Sequence, residues 1–231
     1  MNNLQSHFLL LQINDSLFPI GAYSHSYGLE TYIQKDIVHD VTTAKEYIAK
    51  RLAYNFLYTD LLAVRLAYEA MQQKQLAKLD ELEDIMDASR IPRELREASK
   101  KLGNRFIKTL VHMDVHWQTE EFKQYLAMRE GKTTCHPCAY GAFCACCGIG
   151  KNDALIHFLY TQTSAMVTTC VKTIPLSQSN GQKILFSLYP LFEQIITKVN
   201  TASEDMLCLS TPGFDLRSIQ HEHLYSRLYM S

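Results

Sequence analysis

From residue 42 to residue 72 the apolar side chains return every three to four positions, which is the period of an amphipathic helix. Ala44, Ile48, Leu52 and Phe56 make one stripe, and Leu57, Leu61, Val64 and Tyr68 make a second beside it. The same period governs most of the chain, while stretches that alternate apolar and polar residues are scarce. Thr43 with Glu46 reads as a capping box, each side chain satisfying a free amide of the first turn. A shorter amphipathic helix is expected over 76–89, stopped by Ser89-Arg90-Ile91-Pro92, and another over 93–110. Residues 120–129 predict a helix ended by Gly131. Asn152 or Asp153 is expected to cap a long helix to Lys172; Pro175 follows it, and Asn180-Gly181 turns the chain into a last long helix over 182–200. The expectation is an all-α, single-domain bundle of roughly ten helices joined by short loops.

No repeat, low-complexity tract or Pro/Gly-rich linker divides the chain, and its 231 residues suit one large domain spanning 1–231. The helix over 153–172 carries two apolar stripes: Leu155, Leu159 and Met166, and next to them Ile156, Tyr160 and Val167. A helix apolar on more than one face is either central or shared with a partner; central is the plainer reading.

Charge and cysteine content exclude whole classes of function. A net charge of -1 argues against nucleic acid, since a phosphate-tracking protein shows a strong basic excess. The least polar stretch, residues 139–150, is shorter than the ~20 residues a membrane span needs. The start Met1-Asn2-Asn3-Leu4-Gln5 has no basic run, and Asp15 interrupts the apolar residues behind it, so no secretory signal is expected. Seven Cys without framework spacing fit reduced thiols in a cytoplasmic protein.

Candidate chemistry mostly fails on spacing. Gly148-Ile149-Gly150-Lys151 lacks the earlier Gly and the following Ser or Thr of a phosphate loop, having Ala145 and Asn152 there. Ser24-His25-Ser26 with Asp15 lacks the flanking glycines of a nucleophile elbow. Cys135, His136 and Cys138 have C-x-x-C spacing and borderline-soft donors that suit zinc or nickel. No second C-x-x-C follows, however, and Cys144, Cys146 and Cys147 sit in an Ala/Gly-rich run where Cys behaves as a small buried hydrophobe. His112 and His116 could pair on a helical face, but no third ligand is near them in the sequence.

The two ends are the unusual parts. Gly21, Ser24 and Gly28 form a side-chain-poor stripe if residues 15–30 are helical, and interior glycines at ~1 kcal/mol each imply that something packs closely there. Tyr23 and Tyr27 would lie on the neighbouring face, with Glu30 beyond. The chain closes with His221, Glu222, His223, Leu224, Tyr225, Ser226, Arg227, Leu228, Tyr229, Met230 and Ser231, rich in the Tyr and Arg that concentrate binding energy. Such a tail is either latched on its own core or recruits a partner.

These blocks in order resemble the UreF family of urease accessory proteins: residues 18–30 (FPIGAYSHSYGLE), 136–141 (HPCAYG), 175–182 (PLSQSNGQ) and 221–231 (HEHLYSRLYMS). Ser177 departs from the Gly of many members, and the extra Cys within 135–147 lie outside the pattern. The resemblance implies an all-helical homodimer without an active site. It would bridge a UreD/UreH-type accessory protein to the GTPase UreG for delivery of nickel to apo-urease. Nickel and GTP would be handled by the assembled complex, not held by this chain. It further implies partner surfaces at the N-terminal segment 1–14, around Phe8 to Ile13, and the tail 210–231. The expected partner-binding residues are Gly21, Tyr23, Gly28, Glu30, His221, Glu222, Tyr225, Arg227 and Tyr229, with Ile156 and Tyr160 in self-association. The rival expectation is a metallochaperone holding nickel or zinc through Cys135, His136 and Cys138; a helical enzyme with an unrecognised pocket is a third.

Overall fold

The computed structural model describes residues 3–115 and 120–231, apart from the side chains of Asn3 and Tyr23. Among these residues there is no strand. In chain order the helices are α1 (Asn3–Ile13), α2 (Leu29–Gln34), α3 (Val41–Lys50), α4 (Leu62–Gln72), α5 (Leu76–Ser89), α6 (Arg93–His112), α7 (Glu121–Met128), α8 (His136–Cys146), α9 (Lys151–Thr173), α10 (Gln178–Ser187), α11 (Tyr189–Thr201) and α12 (Pro212–His221). The molecule is all-α, as its periodicity predicts.

α3 and α4 are the ends of one rod, joined without a break by a π-helical stretch, Arg51–Leu61. Wider i→i+5 turns explain why two apolar stripes appear in the sequence. Arg51, Phe56 and Leu61 lie on one five-residue ladder and Leu52, Leu57 and Leu62 on the next, and all six are buried. Asp40 caps the rod: its carboxylate accepts from the Thr43 amide at 2.7 Å, and the Thr43 hydroxyl returns the bond to the Asp40 backbone. The capping box is therefore Asp40 with Thr43, one turn earlier than Thr43 with Glu46.

At the centre is α8, whose residues from His136 to Cys144 are all buried. Its small side chains let α4 come close: a Cβ on Gly141 would lie 2.3 Å from the Val64 carbonyl oxygen. α6 packs on another side, and aromatic rings fill the remaining space, with Phe106 5.7 Å from Phe143 and Tyr140 4.9 Å from Phe158. Burying each such ring contributes roughly 1.5–3 kcal/mol. Cys144, Cys146 and Cys147 are core thiols here.

α9 is central on one face and open on the other. Leu155, Leu159, Met166 and Val167 are buried, whereas Ile156 and Tyr160 are exposed beside α1. Its N-cap is Gly150, and neither Asn152 nor Asp153 caps it by side chain; Asn152 instead accepts from the Asn200 amide group at 3.0 Å. After Ile174 the Ser177 hydroxyl accepts the Asn180 amide, so Asn180-Gly181 belongs to the first turns of α10 and is no turn between helices. The stretch 182–200 is likewise broken, because Pro190 opens a new helix, α11, just after Leu188.

Candidate functional site

The N-terminal block and the tail, far apart in the chain, meet in one place. Residues 15–30 are not the continuous helix that the Gly21, Ser24, Gly28 spacing suggests. They form a loop with a single 3₁₀ turn, Ala22–Ser24, between two left-handed glycines, Gly21 at φ +83° and Gly28 at φ +82°. Non-glycine residues rarely adopt that conformation. Close approach adds to the demand, since a Cβ on Gly21 would meet the Arg105 guanidinium at 2.6 Å, and one on Gly28 the Ser218 hydroxyl at 2.6 Å.

Glu30 opens α2 and is buried, so its carboxylate must be satisfied internally. It accepts from His221 Nε2 at 2.9 Å, from the Leu228 amide at 2.7 Å and from the Tyr229 amide at 3.1 Å. His221, fully buried at the end of α12, has its Nδ1 2.7 Å from Glu94 of α6, and the other Glu94 oxygen accepts from Arg227 at 2.5 Å. Two helices thus hold one imidazole between two carboxylates, and the same carboxylates fasten the tail. Further along, the Met230 amide donates to the Ser24 carbonyl at 2.9 Å, and the Ser26 and Tyr27 amides donate to the Ser231 carbonyl. His25 Nδ1 lies 2.8 Å from the Ser231 hydroxyl. Burial, aided by Lys101 and Arg105, pushes His25 down to about 4. Its hydroxyl neighbour is Ser231; the Ser24 hydroxyl donates to the Gly21 carbonyl. Neither Ser24 nor Ser26 is hydrogen-bonded to His25 as the Ser24-His25-Ser26 run would require.

Beneath the block, buried Arg51 stacks on the Tyr27 ring at 4.8 Å and donates to the Tyr27 carbonyl at 3.1 Å and the Tyr47 hydroxyl at 3.2 Å. Tyr229 leans on Thr169 of α9, and burial pushes its phenol above the usual range. Gly28, Glu30 and His221 are therefore inside, and Glu222 and Tyr229 half-buried. Tyr225 is fully exposed, with Leu228 and Met230 largely so, and Arg227 keeps about a third of its side chain open. The Tyr23 side chain lies outside the described residues. Sequence reasoning missed Glu94 and Arg51, which sit in helical contexts with no local signal of their partners.

The alternative metal triad is built as core. Burial, with Glu83 nearby, pushes the Cys135 thiol up to about 12; burial pushes Cys138 well up as well, and holds His136 down at about 4. The His136 ring packs against Phe106 at 5.4 Å and Phe158 at 5.5 Å. Metal ligation needs thiolates, which this apolar packing opposes. Among the described residues no three His, Cys, Asp or Glu are gathered to hold an ion. Of the histidine pair, His112 is exposed in the last turn of α6, and His116 lies outside the described residues. Lys151, of the rejected phosphate loop, is paired with Glu69 at 2.8 Å. Among the described residues no helix is long and apolar enough to cross a membrane.

Fold and site together define an all-helical protein whose distinguishing feature is a pair of chain ends clasped into one surface. The UreF family model matches residues 38–189. The urease accessory protein UreF of Haemophilus influenzae is 36% identical over 96% of this chain and 94% of its own length. That of Actinobacillus pleuropneumoniae serotype 3 is 37% identical over 96% and 97%, and that of Bacillus sp. strain TB-90 is 34% identical over the whole of both chains. The chain belongs to the UreF family of urease accessory proteins.

Proposed function

We propose that this chain is an adaptor in maturation of the urease nickel centre. It would bridge a UreD/UreH-type accessory protein to the GTPase UreG on the way to apo-urease and modulate GTP hydrolysis by its partner. Nickel is then cargo of the complex and GTP the partner's substrate, with neither a resident cofactor of this chain. The observation that supports this reading is the latch: buried Glu30 and His221, with half-buried Glu94, fix a tail that presents Tyr225, Arg227, Leu228 and Met230 outward. Buried charge spent on posing an exposed aromatic and apolar ribbon is the anatomy of a recognition surface, rigid beneath and open above. Self-association through Ile156 and Tyr160 and a UreD/UreH contact along α1 complete the proposal.

The test is co-purification of the accessory complex with Tyr23→Ala and Arg227→Ala, folding being checked by circular dichroism. Loss of the GTPase from the complex is expected, each truncation costing about 2 kcal/mol or more at a hot spot. Undiminished recruitment by both folded variants would retire the proposal.

A further inference from the structure

α6 carries a line of cations that the molecule itself does not use. Lys101, Arg105 and Lys108 recur at i, i+4 and i+7, lie on the helical face that begins with Glu94, and are all exposed. None has a carboxylate within ion-pair distance among the described residues, whereas their neighbour Lys100 is held by Asp87 at 2.8 Å and Glu97 at 3.7 Å. The line is placed deliberately beside the latch. The Arg105 guanidinium lies over Gly21, 2.6 Å from where a Cβ would stand, and the charges of Lys101 and Arg105 both depress protonation of His25. Glu94, two turns before Lys101 on the same helical face, holds Arg227 of the exposed tail at 2.5 Å.

We infer that Lys101, Arg105 and Lys108 are the charged half of the docking surface and receive a carboxylate-rich face of a partner protein. This deepens the adaptor reading above and rests on it. A ridge of unpaired cations flanking exposed Tyr225, Leu228 and Met230 reproduces the composition of an interface, with aromatic and apolar anchors and a charged border that steers approach. Nucleic acid is the poorer fit, because the ridge is short, Glu97 flanks it, and the whole chain carries a net charge of -1.

The experiment measures binding of purified UreG-type GTPase to full-length wild type and to the double variant Lys101→Glu/Arg105→Glu, with Lys183→Glu/Lys198→Glu, at exposed positions of α10 and α11, as a control for net charge. Thermal melts establish that the variants fold. Expected is wild-type affinity that falls about tenfold between about 50 mM and about 300 mM salt, and a double variant weakened about tenfold at low salt whose remaining binding is nearly salt-independent. Equal binding by wild type and double variant at low salt overturns the inference while leaving the adaptor reading standing. A wild type that ignores the GTPase at every salt concentration overturns both. A variant that keeps the GTPase but loses affinity for a single-stranded RNA or an anionic vesicle overturns the inference alone and reassigns the ridge to that ligand.

Discussion

Adding a methyl group to Gly28 would do two kinds of damage at once. The residue would be forced to keep φ at +82°, and its Cβ would press on Ser218 at 2.6 Å from the hydroxyl and 3.0 Å from the backbone Cα. The hydroxyl can rotate away but the Cα cannot, so α12 must shift and carry the tail with it. Gly28→Ala is therefore expected to lower stability by about 2 kcal/mol or more, read by urea denaturation. Gly213, in the first turn of α12, has open space where its Cβ would go, and Gly213→Ala should be neutral or stabilising by up to about 1 kcal/mol. If the two variants melt alike, the close approach at Gly28 is not what the latch depends on. Glu30 makes the complementary case. Glu30→Ala strands buried His221 and two tail amides, and its expected cost is about 2–4 kcal/mol. Hydrogen exchange at the Leu228 and Tyr229 amides should rise well before global unfolding; amides that stay protected would show that Glu30 does not hold the tail.

At the scale of elements, Glu83 ties three helices together. From α5 it accepts the Tyr125 hydroxyl of α7 and, at 2.7 Å, the Cys135 amide at the start of α8. Burial raises its carboxyl to about 7, against the opposing effect of those donors and of Arg129. Because the folded state keeps this proton longer than the unfolded chain, the group favours folding below about 4.5. About 3 kcal/mol of that advantage is lost as pH rises to about 7. Glu83→Gln should flatten this part of the stability curve when denaturation is compared at about pH 5 and about pH 7.5; a fall as steep as wild type would rule Glu83 out as its source. Nothing in the residues around Glu83 announces this role, because its partners come from α7 and α8. The helices themselves were legible, since periodicity is local: α5 spans the expected 76–89, and the rod over 41–72 differs only in its widened middle. The loop over 15–30 was misread for a related reason. Spacing of i, i+3, i+7 fits a helix, and a glycine needed for positive φ looks the same in sequence as one needed for close packing. His221 is a further example, its partner Glu30 lying 191 positions away.

Over the whole molecule, the exposed apolar residues are not scattered evenly. Leu4, Phe8 and Leu11 of α1 stand open beside Ile156 and Tyr160 of α9, and the two helices are held side by side by the Thr161 hydroxyl on the Asn14 carbonyl at 3.3 Å and by His7 against His157. α9 is thus anchored in the core on one face, through Leu155 and Leu159, and bare on the other. A monomer gains nothing from that bare face, whereas a two-fold dimer would bury it against its own copy. In a two-fold interface each position enters twice, so one substitution near the axis places two like charges in a desolvated contact. Tyr160→Asp or Ile156→Asp is therefore expected to convert a dimer of the full-length chain to monomers by light scattering, with helicity unchanged. Tyr54→Asp, at an exposed aromatic of the π-helical stretch outside the α1/α9 face, should leave the dimer intact. A wild type that is monomeric at every concentration, or a dimer that tolerates both α9 charges, would move self-association off this face and leave α1 and α9 to another partner.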